Sequence, residues 1–191
     1  LLETLVRKDV GVVGPCMPYV KYPKKIWACG GKINKISIDI GALQPKSLHP
    51  YEVPYLPAAA VMCKTEVLKK IGGFNQDYFF GYEEAELCLE IKKLGYKVLV
   101  DPRSRVLHHV GLSSKTSPML IYNGIRNKLT FAKYLYGKIF GLMYSISQTL
   151  LSCIKYSIKE KKTMRIHLWL KSVNHEISGI NINKATLNSI E

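Results

Sequence analysis

Acidic side chains are scarce in this chain. Its 191 residues hold 14 Asp and Glu against 28 Lys and Arg, a formal charge of +14. A surplus of this size points to an anionic partner: nucleic acid, a phosphorylated small molecule or an anionic lipid surface. Asp occurs only at positions 9, 39, 77 and 101, so no D-x-D pair exists anywhere. Cysteine is limited to positions 16, 29, 63, 88 and 153, an odd number with no C-x-x-C spacing. That excludes a disulfide framework and a zinc ribbon, and it suits apolar thiols in a reducing, cytoplasmic compartment. No uninterrupted apolar run reaches the roughly 20 residues that a spanning helix needs. The nearest, "IFGLMYSISQTLLSC", carries Ser, Gln and Thr and lies between Lys138 and Lys155. Patterns for a helix-turn-helix, a zinc finger or an RNP strand are missing too, which counts against nucleic-acid binding.

Apolar residues make up 47% of the sequence, enough for a core. "LLETLVRKD" reads as the tail of a helix with no Met before it, so the chain is expected to begin inside a longer protein. "VGVVGP" (Val10–Pro15) reads as a short buried strand ended by Gly14-Pro15. Residues 16–50 lack periodicity and read as a surface excursion, with a hairpin around "GGKINKISIDIG". The prolines of "YEVPYLP" argue against a central strand there. Thr65 is placed to cap a helix that ends at Gly72-Gly73, and an aromatic loop from Phe74 to Gly81 follows. Glu83 to Leu94 has helical spacing, closed by Gly95. "YKVLVDP" reads as a strand halted by Pro102, and "RVLHH" as another extended piece. Helical spacing then runs from Tyr122 to Ile158. Between Arg126 and Lys171 ten Lys and Arg face a single acid, Glu160, the pattern of a basic amphipathic helix lying on a membrane or packed on a neighbour. The tail "NHEISGININKATLNSIE" reads as polar and loose.

Two clusters suggest chemistry. On a helical wheel with Leu87 as reference, Ile91 and Leu94 form one stripe, and Glu83 and Glu84 fall on the same side. Glu86 and Glu90 lie at its margin, and Lys92 and Lys93 opposite. The first two acids therefore continue the inward face past the core, at a helix N-terminus whose free N–H groups favour an ionised carboxylate. Such a group can accept a proton, bind a cation or orient a hydroxyl. First-turn acids also arise simply as dipole partners, at about 0.3–1 kcal/mol each. The second cluster is His108-His109, at the end of a short apolar strand and before Gly111. In extended chain only one of the two can face a site shared with the acids. A neutral imidazole there suits a Mn²⁺-like ion or a structural hydrogen bond.

The stretch "AAAVMCKTEVLKKIGGFNQDYFFGYEEAELCLEIKKLGYKVLVDPRSRVLHHVGLSS" resembles the second half of a family 2 glycosyltransferase of the rhamnosyltransferase-like kind. The matching pieces are Ile71-Gly72-Gly73-Phe74, Phe79-Phe80, Tyr82-Glu83-Glu84, Glu86-Leu87-Cys88, Gly95-Tyr96, Pro102, His108 and Ser113-Ser114, with "YNGIRN" after them. The resemblance covers about residues 1–135. It implies an α/β chain: a partial GT-A (Rossmann-like) domain over 1–120, a basic helical extension over 121–171 and a polar tail over 172–191. It implies an inverting transfer of sugar from a nucleotide-sugar donor to an acceptor hydroxyl in cell-surface glycan assembly. By that resemblance Glu84 is the general base and Glu83 and Glu86 set it. His108, with His109 as fallback, completes a Mn²⁺ or Mg²⁺ site, and Arg126 lies near the diphosphate or a lipid-linked acceptor. Glu84 stands where the family usually has Asp. The D-x-D motif that holds most of the metal is missing, so the nucleotide-binding half is expected upstream of Leu1. Expected partners are the donor, a glycan or lipid-linked acceptor and the anionic inner face of the cell membrane, without nucleic acid. A catalytically incompetent remnant serving as a scaffold is the alternative that the missing motif allows.

Overall fold

In a computed structural model, residues 1–110, 118–160 and 164–179 are described. They form a mixed α/β chain. Its elements begin with α1 (Leu2–Leu5), β1 (Val10–Pro18), β2 (Ile26–Ala28), β3 (Gly31–Asn34) and β4 (Asp39–Ala42). Next come β5 (Tyr51–Glu52), β6 (Met62–Cys63), α2 (Thr65–Ile71), α3 (Glu83–Lys93) and β7 (Lys97–Arg105). Three helices close the series: α4 (Pro118–Tyr136), α5 (Lys138–Glu160) and α6 (Met164–Ile177). The chain divides into two compact units. The first holds Leu1–Asn34, Asp39–Asn75 and, from Glu83, the described residues through 110. The second holds Lys35–Ile38, Gln76–Tyr82 and the described residues from 118 onward.

The first unit is built on a five-stranded sheet in the order β2-β1-β7-β5, with β6 also paired to β1. β1 is buried along its whole length, so its apolar residues run on without polar alternation. It pairs in parallel with β7, Val13 opposite Leu99 and Gly14 opposite Val100, while its other partners are antiparallel. Two strand ends differ from the sequence reading. β1 continues through Gly14-Pro15 to Pro18, and β7 through Pro102 to Arg105. The register explains both. Pro15 lies opposite Asp101 but Cys16 lies opposite Arg105, so β7 loops out at this point and Pro102 needs no ladder bond. The expected hairpin is β3–β4, with Ile33 opposite Ile40. α2 is capped by Lys64 rather than Thr65, without a side-chain bond, and closes on left-handed Gly72.

α3 packs on the sheet where Gly11 leaves room. A Cβ there would stand 2.6 Å from Ile91 Cγ2. Further along β1, Gly14 meets Leu56, and Leu56 in turn bonds to Cys88. α3 therefore runs antiparallel to β1, and its first turn lies toward the carboxyl end of the β1/β7 pair, where Pro18 and His108 meet. Leu94 is exposed, since the helix has ended by then.

In the second unit α4, α5 and α6 pack against one another pairwise. The single helical stretch read over 122–158 is two helices, separated by Gly137 at φ 84°. The tail read as loose from Asn174 is α6 up to Ile177, with Glu176 buried. Glu176 is paired with Arg126 and Lys133 and bonded by Thr130, which is why a polar segment stays helical here. The rest of the tail, 180–191, and the Gly111–Ser114 part of the resemblance lie outside the described residues.

Candidate functional site

Glu83, Glu84 and Glu86 form the first turn of α3. The buried positions of this helix are Ala85, Glu86, Leu87, Cys88 and Ile91. At 100° per residue their inward direction is turned about 60° from Leu87, toward Cys88. Glu84 lies near the centre of that face, Glu83 about 100° away at its edge, and Glu86 farther round on the same side, buried there by other contacts. Electrostatics agree. Burial, helped by the Glu84 charge, raises the Tyr55 phenol. Burial, with Glu84 again adding, pushes the Cys88 thiol up to about 12. Glu84 itself is half-buried, with Oε2 sequestered from water near these two buried groups. Tyr55 stays neutral across the physiological range and retains its O–H as a donor.

The other two acids differ in their surroundings. Glu86 is buried and accepts a 2.9 Å hydrogen bond from Asn75 Nδ2. It ties the end of the segment after α2 to the acidic helix. Glu83 is half-buried, and its Oε2 is sequestered from water with no partner among the described residues. A buried carboxylate oxygen without a donor is costly, about 1–3 kcal/mol or more. A ligand hydroxyl or cation at that point would offset the cost.

Tyr55 was not legible in the sequence. It sits outside any strand, held by an isolated bridge in which Gly31 N–H donates to Tyr55 O at 2.8 Å. Its ring lies over Gly31, where any Cβ would collide with it. The only sequence trace of this contact is the Gly30-Gly31 pair, which marks a close backbone approach without naming the partner.

The histidines end up at the same end of the sheet. His108 N–H donates to Pro18 O at 2.8 Å, and its own carbonyl accepts from Val20 N–H at 3.1 Å. Its ring packs on Trp27, centroids 4.4 Å apart. His109 is exposed. The pair thus splits between two faces, as extended backbone requires. Among the described residues no three His, Cys, Asp or Glu gather into a group that could hold a metal ion.

In the second unit, Arg126 is buried. Its Nη1 donates to Asp77 O at 2.8 Å, and its Nε lies 3.4 Å from Glu176 Oε2. Asn127 Nδ2 donates to Phe80 O and Gly81 O, each at 2.8 Å. The role visible for both is to hold the aromatic loop that leads into Glu83. That loop ends in two consecutive left-handed residues, Gly81 at φ 88° and Tyr82 at φ 78°. Left-handed backbone is strained for a Tyr. The Tyr82 ring packs on Phe131, centroids 5.3 Å apart, and its hydroxyl donates to Ile38 O at 3.0 Å.

No protein-family profile matches the chain. Over 72 residues it is 29% identical to the pre-mycofactocin glycosyltransferase of Mycobacterium tuberculosis, in both the CDC 1551 / Oshkosh and the ATCC 25618 / H37Rv strains. The matched stretch is 38% of this chain and 15% of that relative. The mannosyltransferase PcManGT from Pyrobaculum calidifontis, solved in complex with GDP-Man and Mn2+, superposes with a TM-score of 0.46 at 12% identity, covering 94% of this chain and 57% of that one.

Proposed function

We propose that this chain is the acid-bearing part of an inverting glycosyltransferase of the GT-A, family 2 kind. It would move a sugar from a nucleotide-sugar donor to an acceptor hydroxyl in glycan assembly. The observation that carries the reading is the direction of the first turn of α3: Glu84 faces inward beside Tyr55, and Glu83 keeps a sequestered oxygen without a donor. The partial identity to a glycosyltransferase is consistent with it.

In this reading Glu84 accepts the proton of the acceptor hydroxyl as its oxygen attacks the anomeric carbon. The bond from that carbon to the diphosphate oxygen breaks, and the nucleoside diphosphate leaves with the electron pair. A single displacement of this kind inverts the anomeric centre. Glu83 binds a second hydroxyl of the acceptor, and the buried, neutral Tyr55 keeps the surroundings of Glu84 apolar. Glu86 positions the turn through Asn75. Arg126 holds the loop ahead of the acidic turn through Asp77 O and, in this reading, stands near the diphosphate or a lipid-linked acceptor.

The described residues do not assemble a divalent-metal site, and D-x-D is missing from the sequence. A metal would counter the charge of the leaving diphosphate, with His108, or His109 in its place, as a ligand from this chain, and no step here is routed through it. The missing motif also favours the second reading, a scaffold that has lost its activity.

The test is nucleotide-sugar turnover by the protein that carries this chain, with donor binding measured in parallel. Glu84→Gln is expected to lower turnover by about 10²–10⁴-fold while donor affinity stays within about twofold. Turnover within about tenfold of the parent removes Glu84 as base, and donor binding without any turnover by the parent favours the scaffold.

A further inference from the structure

α5 carries apolar side chains on two sides, one of them turned outward. Its buried positions are Gly141, Ser145, Thr149 and Cys153, a row spaced by four residues and made of small and polar side chains. Its exposed positions include Phe140, Met143 and Leu151, between 64% and 68% exposed, with Ile139 at 76% and Ile154 at 40%. At 100° per residue the two rows are centred about 180° apart. Ile146 and Leu150 already supply the apolar packing against Ile125, Leu129 and Trp169, so the outward row is not needed by the bundle.

The inward row is fully accounted for. Ser145 Oγ donates to Leu142 O at 3.1 Å, and Thr149 Oγ1 donates to Ser145 O at 2.8 Å while accepting from Trp169 Nε1 at 2.9 Å. Gly141 lies directly against the Ala132 carbonyl, a contact that any larger residue would break. Small residues let the backbones approach, as in helices that turn their apolar side chains toward lipid. Yet among the described residues no helix is long and apolar enough to cross a membrane.

Charge selects the occupant of the outward row. Exposed Lys138 and Lys155 bracket it along the chain, and the sequence continues with Lys159, Lys161, Lys162 and Arg165 against Glu160 alone. A second copy would bring the same positive surplus to the contact. An anionic surface neutralises it, at a gain that grows with each cation close to the headgroups.

We propose that α5 lies flat on an anionic lipid surface, with Phe140, Met143, Leu151 and Ile154 entering the boundary between headgroups and acyl chains. This extends the expectation of peripheral membrane association to a named helix face, and it does not depend on the transferase reading.

The experiment is sedimentation of the full chain with vesicles of phosphatidylcholine, with or without about 30% phosphatidylglycerol, a composition chosen for its surface charge. The parent is expected to bind the anionic vesicles, and added salt to weaken the binding. Met143→Asp with Leu151→Asp is expected to lower affinity at least about tenfold, with helicity by circular dichroism unchanged because both positions are exposed. Lys138→Ala with Lys155→Ala is expected to cost about tenfold on anionic vesicles alone. Absence of binding by the parent, or equal binding by the Asp variant, overturns the proposal. A parent dimer that the Asp pair dissolves assigns the face to a second copy and overturns it as well.

Discussion

The side-chain amide of Asn127 lies 2.8 Å from the carbonyl oxygen of Gly81, two residues ahead of the acidic helix. The same nitrogen reaches Phe80 O at 2.8 Å. One α4 side chain thereby gathers two consecutive carbonyls at the point where Gly81 and Tyr82 turn left-handed. The turn would otherwise have little reason to persist, since a Tyr at φ 78° is strained. Arg126, one residue earlier, holds the start of the same loop through Asp77 O.

Asn127→Asp replaces the donor with a carboxylate facing two carbonyl oxygens. The expected cost is about 1–3 kcal/mol, the size of an unsatisfied buried polar group. Chemical denaturation measures it, and amide exchange should show faster opening over residues 76–82.

For Glu84, the informative contrast is Gln against Asp. Glu84→Gln keeps the shape of the side chain and is expected to abolish transfer with the melting temperature nearly unchanged. Glu84→Asp keeps the charge but shortens the reach, and partial turnover is expected. Equal activity of all three proteins in a nucleotide-release assay would remove Glu84 from the chemistry.

Gly11→Val is expected to destabilise the first unit. Its Cβ would lie 2.6 Å from Ile91 Cγ2 and 2.8 Å from Tyr96 Cβ. Forcing α3 off the sheet costs about 1–3 kcal/mol for an overpacked core. Gly41→Val is the control, because the nearest atom there is Lys32 Cε at 3.5 Å. A melting temperature that drops equally in both would contradict the packing argument.

Glu176→Leu leaves Arg126 and Lys133 facing a side chain without charge. Removing one partner of a buried ion pair costs about 3–5 kcal/mol. Loss of helical signal at lower denaturant should report it. A neutral result would mean that α6 does not depend on this pairing.

Acid should weaken the first unit through Asp101. Arg103, then Thr4, hold its carboxyl well below the ordinary 3.8, against the opposing effect of burial. Thr4 Oγ1 donates to Asp101 Oδ2 at 2.7 Å, and Arg103 Nη2 stands 2.7 Å from the same oxygen. A folded-state pKa below the unfolded one gives stability that is present above the unfolded pKa and lost as the pH falls toward the folded value. Melting temperature should therefore decline from about pH 5 to about pH 2 more steeply in the parent than in Asp101→Asn. Parallel curves would contradict the linkage.

Much of the local architecture was readable in the sequence. The apolar run at Val10, the glycines around the hairpin and the spacing from Glu83 onward each specify an element through short-range periodicity. The strand ends were misread at Pro15 and Pro102: Pro15 stays in register opposite Asp101, and a bulge in β7 takes Pro102 out of the ladder, a property of the pair of strands. The resemblance through "YNGIRN" set Arg126 near the diphosphate or a lipid-linked acceptor, an expectation that its hydrogen bonds leave open. Its buried position beside Glu176 depends on a helix far along the chain.

The order of residues alone determined that three acids share one helical turn and that the basic residues gather toward the C-terminal helices. Those facts follow from counting and from the helical period. Tertiary structure decided which acid turns inward, since Ala85 and Cys88 are buried as well as Leu87 and rotate the inner face toward Glu84. It also decided that Tyr55 would lie near that acid and that α5 would keep a second apolar side exposed. These choices arise from contacts between segments distant in sequence, where packing outweighs the local preferences that a sequence pattern records.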